Sequence, residues 1–298
     1  MIRLSSFLGL MCLAWEGLVS TVAMGCSSCG SGASDPIILF PNENYKLYLG
    51  SSIQERIRNI DTNGNVHGTS GIDSKVVNTI SGAIRLMGSQ ASLSLTANTM
   101  ENRSKDQHRS GLGDPLLALR YNIVNQSFER PEIPQVQYLL SHKFASGDSI
   151  HGSSNSEMLD IFTSGFDETA MGFDIWFGMW PVKFGTTLQY SYTHADFKSG
   201  RNLDPGDRWT WISTVGSVYE NKFKLITGAI VNKYGDLKED GELINNSDRY
   251  DRSWFLTFET LSLATANIRL NMVQQGLWDS KNSTNSINYT IAVMKGFL

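Results

Sequence analysis

The sequence predicts an all-β chain, a closed antiparallel transmembrane β-barrel of about twelve strands. Three features predict it. From Tyr45 to Leu298, apolar side chains recur at every second position in consecutive segments. Each segment is about ten residues long, enough to carry a tilted strand across a bilayer. The polar connections are long after odd-numbered segments and short after most even-numbered ones. Aromatic residues gather near the segment ends, at Tyr45, Trp180, Tyr192, Trp209, Tyr219, Trp254, Trp278 and Phe297, where an interfacial girdle belongs.

The first segment, residues 45–58, puts Tyr45, Leu47 and Leu49 on one face. The second uses Val76, Ile80, Ile84 and Leu86, and the third Leu93, Leu95 and Ala97. In the fourth, Leu117, Leu119, Tyr121 and Ile123 oppose Arg120 and Asn122. Val136, Tyr138 and Leu140 form the fifth; Phe173, Ile175 and Phe177 form the sixth, opposite Asp174. The seventh sets Phe184, Leu188, Tyr190 and Tyr192 against Lys183, Thr187 and Gln189. Trp209, Trp211, Val215 and Tyr219 carry the eighth; Phe223, Leu225, Ala229 and Val231 carry the ninth. In the tenth, Trp254, Leu256 and Phe258 oppose Thr257 and Glu259. In the eleventh, Ile268, Leu270 and Met272 oppose Arg269 and Asn271. Tyr289, Ile291, Val293 and Phe297 close the set.

The long connections are residues 59–72, 100–113, 145–158, 195–207, 235–249 and 277–286. The short ones are 87–90, 180–181, 220–221 and 264–266, with 125–132 somewhat longer. A soluble sandwich has no reason to sort its loops by parity, whereas a membrane barrel has short turns at one end and long loops at the other. Hydrocarbon offers no hydrogen-bond partner, so spanning strands must close on themselves.

Composition excludes other classes. Only 18% of residues are charged, against about 25% in an average soluble domain. Aromatics reach 10% and the net charge is only -4, which excludes disorder. There is no basic run, so no nucleic-acid partner is expected. After residue 25 no stretch approaches the roughly 20 apolar residues of a spanning helix.

Residues 1–25 read as a signal peptide: Arg3, an apolar run at 7–15 interrupted afterwards by Glu16, then Ala23-Met24-Gly25 before the cut. Export to the bacterial outer membrane follows. Residues 26–44 form a Cys/Gly/Ser-rich periplasmic segment, and residues 45–298 the barrel. Cys12 leaves with the leader, so Cys26 and Cys29 remain in a C-x-x-C spacing. Four readings stand open for them: a local disulfide suited to an oxidising periplasm, a lipid-modified Cys26, a metal or redox-transfer pair, and haem attachment, which the Gly30 after Cys29 disfavours.

The barrel resembles bacterial outer-membrane β-barrels, and most of all the meta-pathway phenol degradation-like transporter family, distantly like long-chain fatty-acid transporters. The resemblance rests on Gly111-Leu112-Gly113-Asp114-Pro115 running into Leu117-Ala118-Leu119-Arg120-Tyr121, and on the carboxyl-terminal strand from Tyr289 to Leu298. That last strand is similar to those read by the barrel-assembly machinery, although Phe297 is penultimate rather than last. The resemblance implies envelope transport of small, often apolar molecules and assigns no transport residue.

Twelve strands lie between barrels whose side chains fill the interior and barrels with an open channel. The inferred lumen face carries Arg85, Arg120, Lys143, Asp174, Lys183, Glu259 and Arg269. These residues suit a selectivity path for small anions. They also suit a structural network in which Asp174 and Glu259 neutralise Arg120 and Arg269, the better-supported reading because interior ions need partners. No catalytic motif appears, so no enzyme, cofactor or metal is expected. His142 falls on the lipid-facing parity with no evident serine beside it. His67, His108, His151 and His194 lie in the external loops and share no ligand spacing. The expected function is a porin-like or transporter-like barrel passing small apolar or anionic solutes, with outer-membrane lipid and the assembly machinery as partners. The alternative is a non-catalytic scaffold whose C-x-x-C segment docks a periplasmic redox or metal-handling partner.

Overall fold

The computed structural model describes residues 39, 43–68, 72–86, 90–105, 107–125, 133–146, 159–160, 162–178, 181–198, 200–220, 222–261 and 266–297. Among these there is no helix. Twelve long strands make the wall: β1 (Tyr45–Ile60), β2 (Ser74–Leu86), β3 (Ala91–Arg103), β4 (Leu116–Val124), β5 (Gln135–Lys143), β6 (Glu168–Phe177), β7 (Val182–Thr193), β8 (Arg208–Tyr219), β9 (Phe223–Tyr234), β10 (Arg249–Thr260), β11 (Asn267–Gln275) and β12 (Ser283–Phe297). Each pairs antiparallel with its sequence neighbours, and β12 returns to β1 in a register running from Tyr45↔Phe297 to Ile60↔Ser283. That last pairing removes both sheet edges, as burial of the wall in hydrocarbon demands. The β1–β12 register slips between Glu55 and Arg58, a bulge outside the apolar stretch.

Period-two patterning decides which way each side chain points. Leu47, Leu49, Ile80, Leu95, Leu188, Trp211 and Ile291 are each half exposed or more, while Lys46, Tyr48, Ser81, Ser94 and Gln189 on the opposite parity are buried. An apolar outside and a polar inside invert the soluble pattern. Leu188, near the middle of β7, is 50% exposed on this outer belt. Leu188→Arg is expected to cost about 2–4 kcal/mol of folding free energy in bilayers. Urea titration of the protein in liposomes reads it; a loss under about 1 kcal/mol, the scale of an ordinary surface substitution, would place Leu188 outside the hydrocarbon.

The short-turn end carries both ends of the barrel sequence. The long-loop end departs from the expected pattern. Residues 100–113 are not a plain loop: β3 runs on to Arg103 and pairs with a short strand, His108–Leu112. Residues 195–207 and 235–249, also expected as loops, supply a separate four-stranded sheet of Asp196–Lys198, Arg201–Asp204, Lys238–Glu239 and Glu242–Leu243. Apolar alternation stops at the hydrocarbon edge because only there does lipid select for it, whereas backbone pairing continues into water. A third extension, Val66–Gly68, folds back on β1. Its turn is organised by Asp61, whose carboxylate lies 2.9 Å from His67 Nε2 and accepts the backbone N–H groups of Asn65 and Asn63 at 2.8 Å each. The His67 contact and these donors hold the Asp61 carboxyl well below the usual carboxylate range.

Candidate functional site

The inward parity of the twelve strands builds a lumen in three layers. At the short-turn end ion pairs fill it. Arg269 Nη2 and Lys224 Nζ converge on Glu259 Oε2 at 3.0 and 3.3 Å, with Glu259 wholly buried. Lys46 Nζ meets Glu43 at 3.0 Å, and Arg85 Nε donates to the Glu43 backbone oxygen at 2.7 Å. Arg120 lies 4.0 Å from Asp174, whose other oxygen accepts the Thr187 hydroxyl at 2.9 Å. Lys183 sits at the start of β7 beside the same turns, half-buried on the lumen parity. Leu39 packs here against Tyr48, Ala83, Ala292 and Met294, so the chain ahead of β1 enters this mouth.

The middle layer has two sides. Cross-strand pairs of short polar groups line one, Ser81–Thr96 at 2.7 Å and Thr79–Asn98 at 2.8 Å, and two more, Thr210–Asn232 and Thr257–Asn271 at 2.8 Å each, border the other. Ile212, Ile226, Ile230, Phe255 and Val273 pack together on the wall of β8 to β11. Two glycines make room for rings. Phe255 lies against Gly228, its partner across β9 and β10, and Trp176 lies against Gly185, its partner across β6 and β7. A Cβ at either glycine would overlap the ring. The apolar wall is unusual for a barrel interior, where water or ion pairs are the common filling.

At the long-loop end Glu168 takes both Lys143, at 3.3 Å, and Arg208. Arg208 and Arg249 approach the two sides of the Tyr234 ring, with guanidinium carbons 5.6 and 4.9 Å from its centroid. Such contacts favour arginine, whose flat cation stacks while its edge stays available for hydrogen bonds.

The residues expected on the lumen from sequence therefore divide. Arg85, Arg120, Asp174, Lys183, Glu259 and Arg269 gather at the short-turn end, and Lys143 alone stands at the opposite mouth. The same parity argument reaches Lys46, Lys224, Glu168, Arg208 and Arg249, which the sequence reading passed over although each sits opposite an apolar face. Glu43 precedes the periodic pattern and carries no such signal. His142 Nδ1 lies 2.9 Å from the Thr169 hydroxyl, and His194 Nε2 lies 3.0 Å from it, on the outer rim. Their sequence separations hid this contact, which needs β5 and β6 side by side. Among the described residues, no group of three His, Cys, Asp or Glu side chains could hold a metal. Cys26, Cys29 and His151 lie outside the described residues.

The Gly111-to-Pro115 motif serves the long-loop mouth. Gly111 leaves space for the Phe162 ring, and the Gly113 N–H donates to the Asn98 carbonyl at 2.9 Å. Asp114 accepts the N–H and hydroxyl of Ser146 at 3.0 and 3.3 Å, and those of Ser164 at 3.0 Å each. The Pro115 carbonyl accepts the Phe144 N–H at 3.0 Å. Asn102, buried, donates to the backbone of Leu159 at 3.1 Å. Both described ends of the 144–167 connection are thus tied to β3 and to the segment before β4.

A closed twelve-strand antiparallel cylinder, apolar outside and ion-paired within, is the fold of outer-membrane β-barrels. The chain is similar in fold to a COG4313 outer membrane channel from Pseudomonas putida F1, with a TM-score of 0.69 at 9% identity over 91% of this chain and 100% of that one. Weaker likenesses join it to the NanC porin (TM-score 0.49, 9% identity, 85% of this chain and 100% of that one) and to the KdgM porin (TM-score 0.47, 8% identity, 85% and 99%). Identities this low carry the fold alone. No protein-family model matches the chain, and no curated protein matches it.

Proposed function

We propose that the chain is an outer-membrane channel passing small solutes with an apolar body, neutral or anionic, and that it performs no catalysis. The supporting observation is the buried apolar cluster of Ile212, Ile226, Ile230, Phe255 and Val273 on the inner side of a closed barrel, between ion pairs at its two ends. At 0–6% exposure these side chains pack on one another and fill part of the lumen, which limits passage to small solutes. The likeness in fold to a structure described as an outer membrane channel agrees with this reading. Membership of the meta-pathway phenol degradation-like transporter family belongs to the same proposal and rests on the residues from Gly111 to Tyr121.

Purified protein in planar bilayers is expected to conduct in small steps, because ion pairs narrow the short-turn mouth. Deleting the gene is expected to slow uptake of a small aromatic solute by whole cells. Absence of both conductance and an uptake defect would remove the proposal.

A further inference from the structure

We infer that the outer mouth of the barrel holds a binding site for the carboxylate of a small organic monoanion, formed by Arg249, Tyr234 and Arg208. The inference deepens the passage reading by naming a solute class, and it rests on that reading for its biological role. Arg249 of β10 faces Tyr234 of β9, and Tyr234 faces Arg208 of β8, so the three stand in one cross-strand row on the lumen side. The ring therefore lies between two guanidinium groups.

The two arginines differ in what neutralises them. Arg208 is bound by Glu168 and by the Ser191 hydroxyl at 3.3 Å. Arg249 has no carboxylate within ion-pair distance among the described residues; its recorded contact is the Tyr234 ring. The nearest lumen-facing acid on its own strand is Asp251. That carboxylate is occupied by Ser253 at 3.1 Å, the Gly276 N–H at 3.2 Å and Ser283 at 2.9 Å. Glu168 is thus taken by Lys143 and Arg208, and Arg249 is left to the Tyr234 ring.

A second observation is independent of charge. The Nε–H groups of both Arg208 and Arg249 are buried without a hydrogen-bond acceptor among the described residues. A buried donor left unmade is costly, and two of them flanking one ring mark a place where an acceptor belongs. A carboxylate matches the guanidinium fork better than chloride does, because it accepts two parallel hydrogen bonds. Deeper in the same strands lie Ile212 and Ile230, four residues from Arg208 and Tyr234 respectively, in the apolar wall. Both are buried, so the apolar surface that the body of such an anion meets is the partly exposed Tyr234 ring.

The test titrates full-length mature protein in detergent micelles with benzoate, and separately with the uncharged benzyl alcohol, by calorimetry at low salt, subtracting empty micelles. Wild type is expected to bind benzoate at least about tenfold more tightly than benzyl alcohol, and Arg249→Gln to weaken benzoate about ten- to a hundredfold, with Arg249→Lys in between. Equal binding of the two probes by wild type overturns the inference without any variant. So does a folded Arg249→Gln protein that binds benzoate like wild type. Conductance in potassium chloride separates the two ideas. A protein that conducts but does not prefer benzoate keeps the passage reading and loses the site; one that prefers benzoate but neither conducts nor supports uptake keeps the site and loses the passage.

Discussion

Glu259→Gln is expected to lower the unfolding free energy of the barrel by about 3–5 kcal/mol, the largest effect of any single substitution at the short-turn mouth. The carboxylate is wholly buried and is the shared acceptor of Lys224 and Arg269, whose side chains are only 6% and 13% exposed. Removing its charge leaves two cations facing each other in a dry layer. The Coulomb term between like charges is large where water cannot screen it. Urea titration of the protein in liposomes measures the loss. Replacing Lys224 by Met in the same chain should return part of it, since one cation then stands for the amide to solvate. A loss under about 1 kcal/mol, the ordinary size of a screened surface pair, would mean that water reaches this layer and screens the network.

Asp114→Ala is expected to release the outer connection while leaving the wall intact. The carboxylate accepts four hydrogen bonds, two from Ser146 and two from Ser164, on both described arms of the 144–167 connection. Bonds to a charged acceptor contribute about 1.5–3 kcal/mol each, net of exchange with water. Amide hydrogen exchange at Ser146 and Ser164 should therefore accelerate about a hundredfold. Amides of β8 and β9, which pair along their whole length, should be unchanged. Asp114→Asn keeps one acceptor oxygen and should fall between the two. Exchange at both serines within threefold of wild type would show that the Leu159 and Phe162 contacts hold the connection and that Asp114 is incidental.

The wall was legible because a bilayer imposes one rule on every strand. Leu47, Ile80, Leu188 and Ile291 face outward in the structure on the parity that the sequence assigns them, and the closure of β12 on β1 satisfies the hydrogen bonds that lipid cannot. Parity of loop length marked which end is which. Beyond the membrane the rule lapses. The four-stranded outer sheet and the His108–Leu112 extension carry no period-two signal strong enough to read, since water solvates either face.

The site divides along the same line. Alternation alone told which charges face inward, so Arg120, Asp174, Glu259 and Arg269 could be placed in the lumen from their neighbours in sequence. It could not tell which of them meet. Glu259 joins Lys224, 35 positions earlier on β9, as well as Arg269 on β11, and Arg249, beside Tyr234, has no carboxylate among the described residues. Those outcomes depend on the register between strands. A register shift of a single residue reverses inside and outside, and a shift of two keeps the faces but changes every partner. Local sequence therefore settled the cylinder and its two faces, through the period of the backbone and the demands of the lipid. The pairing of charges, the apolar cluster and the stacking of Arg249 on Tyr234 arose only when the closed sheet brought distant strands into contact.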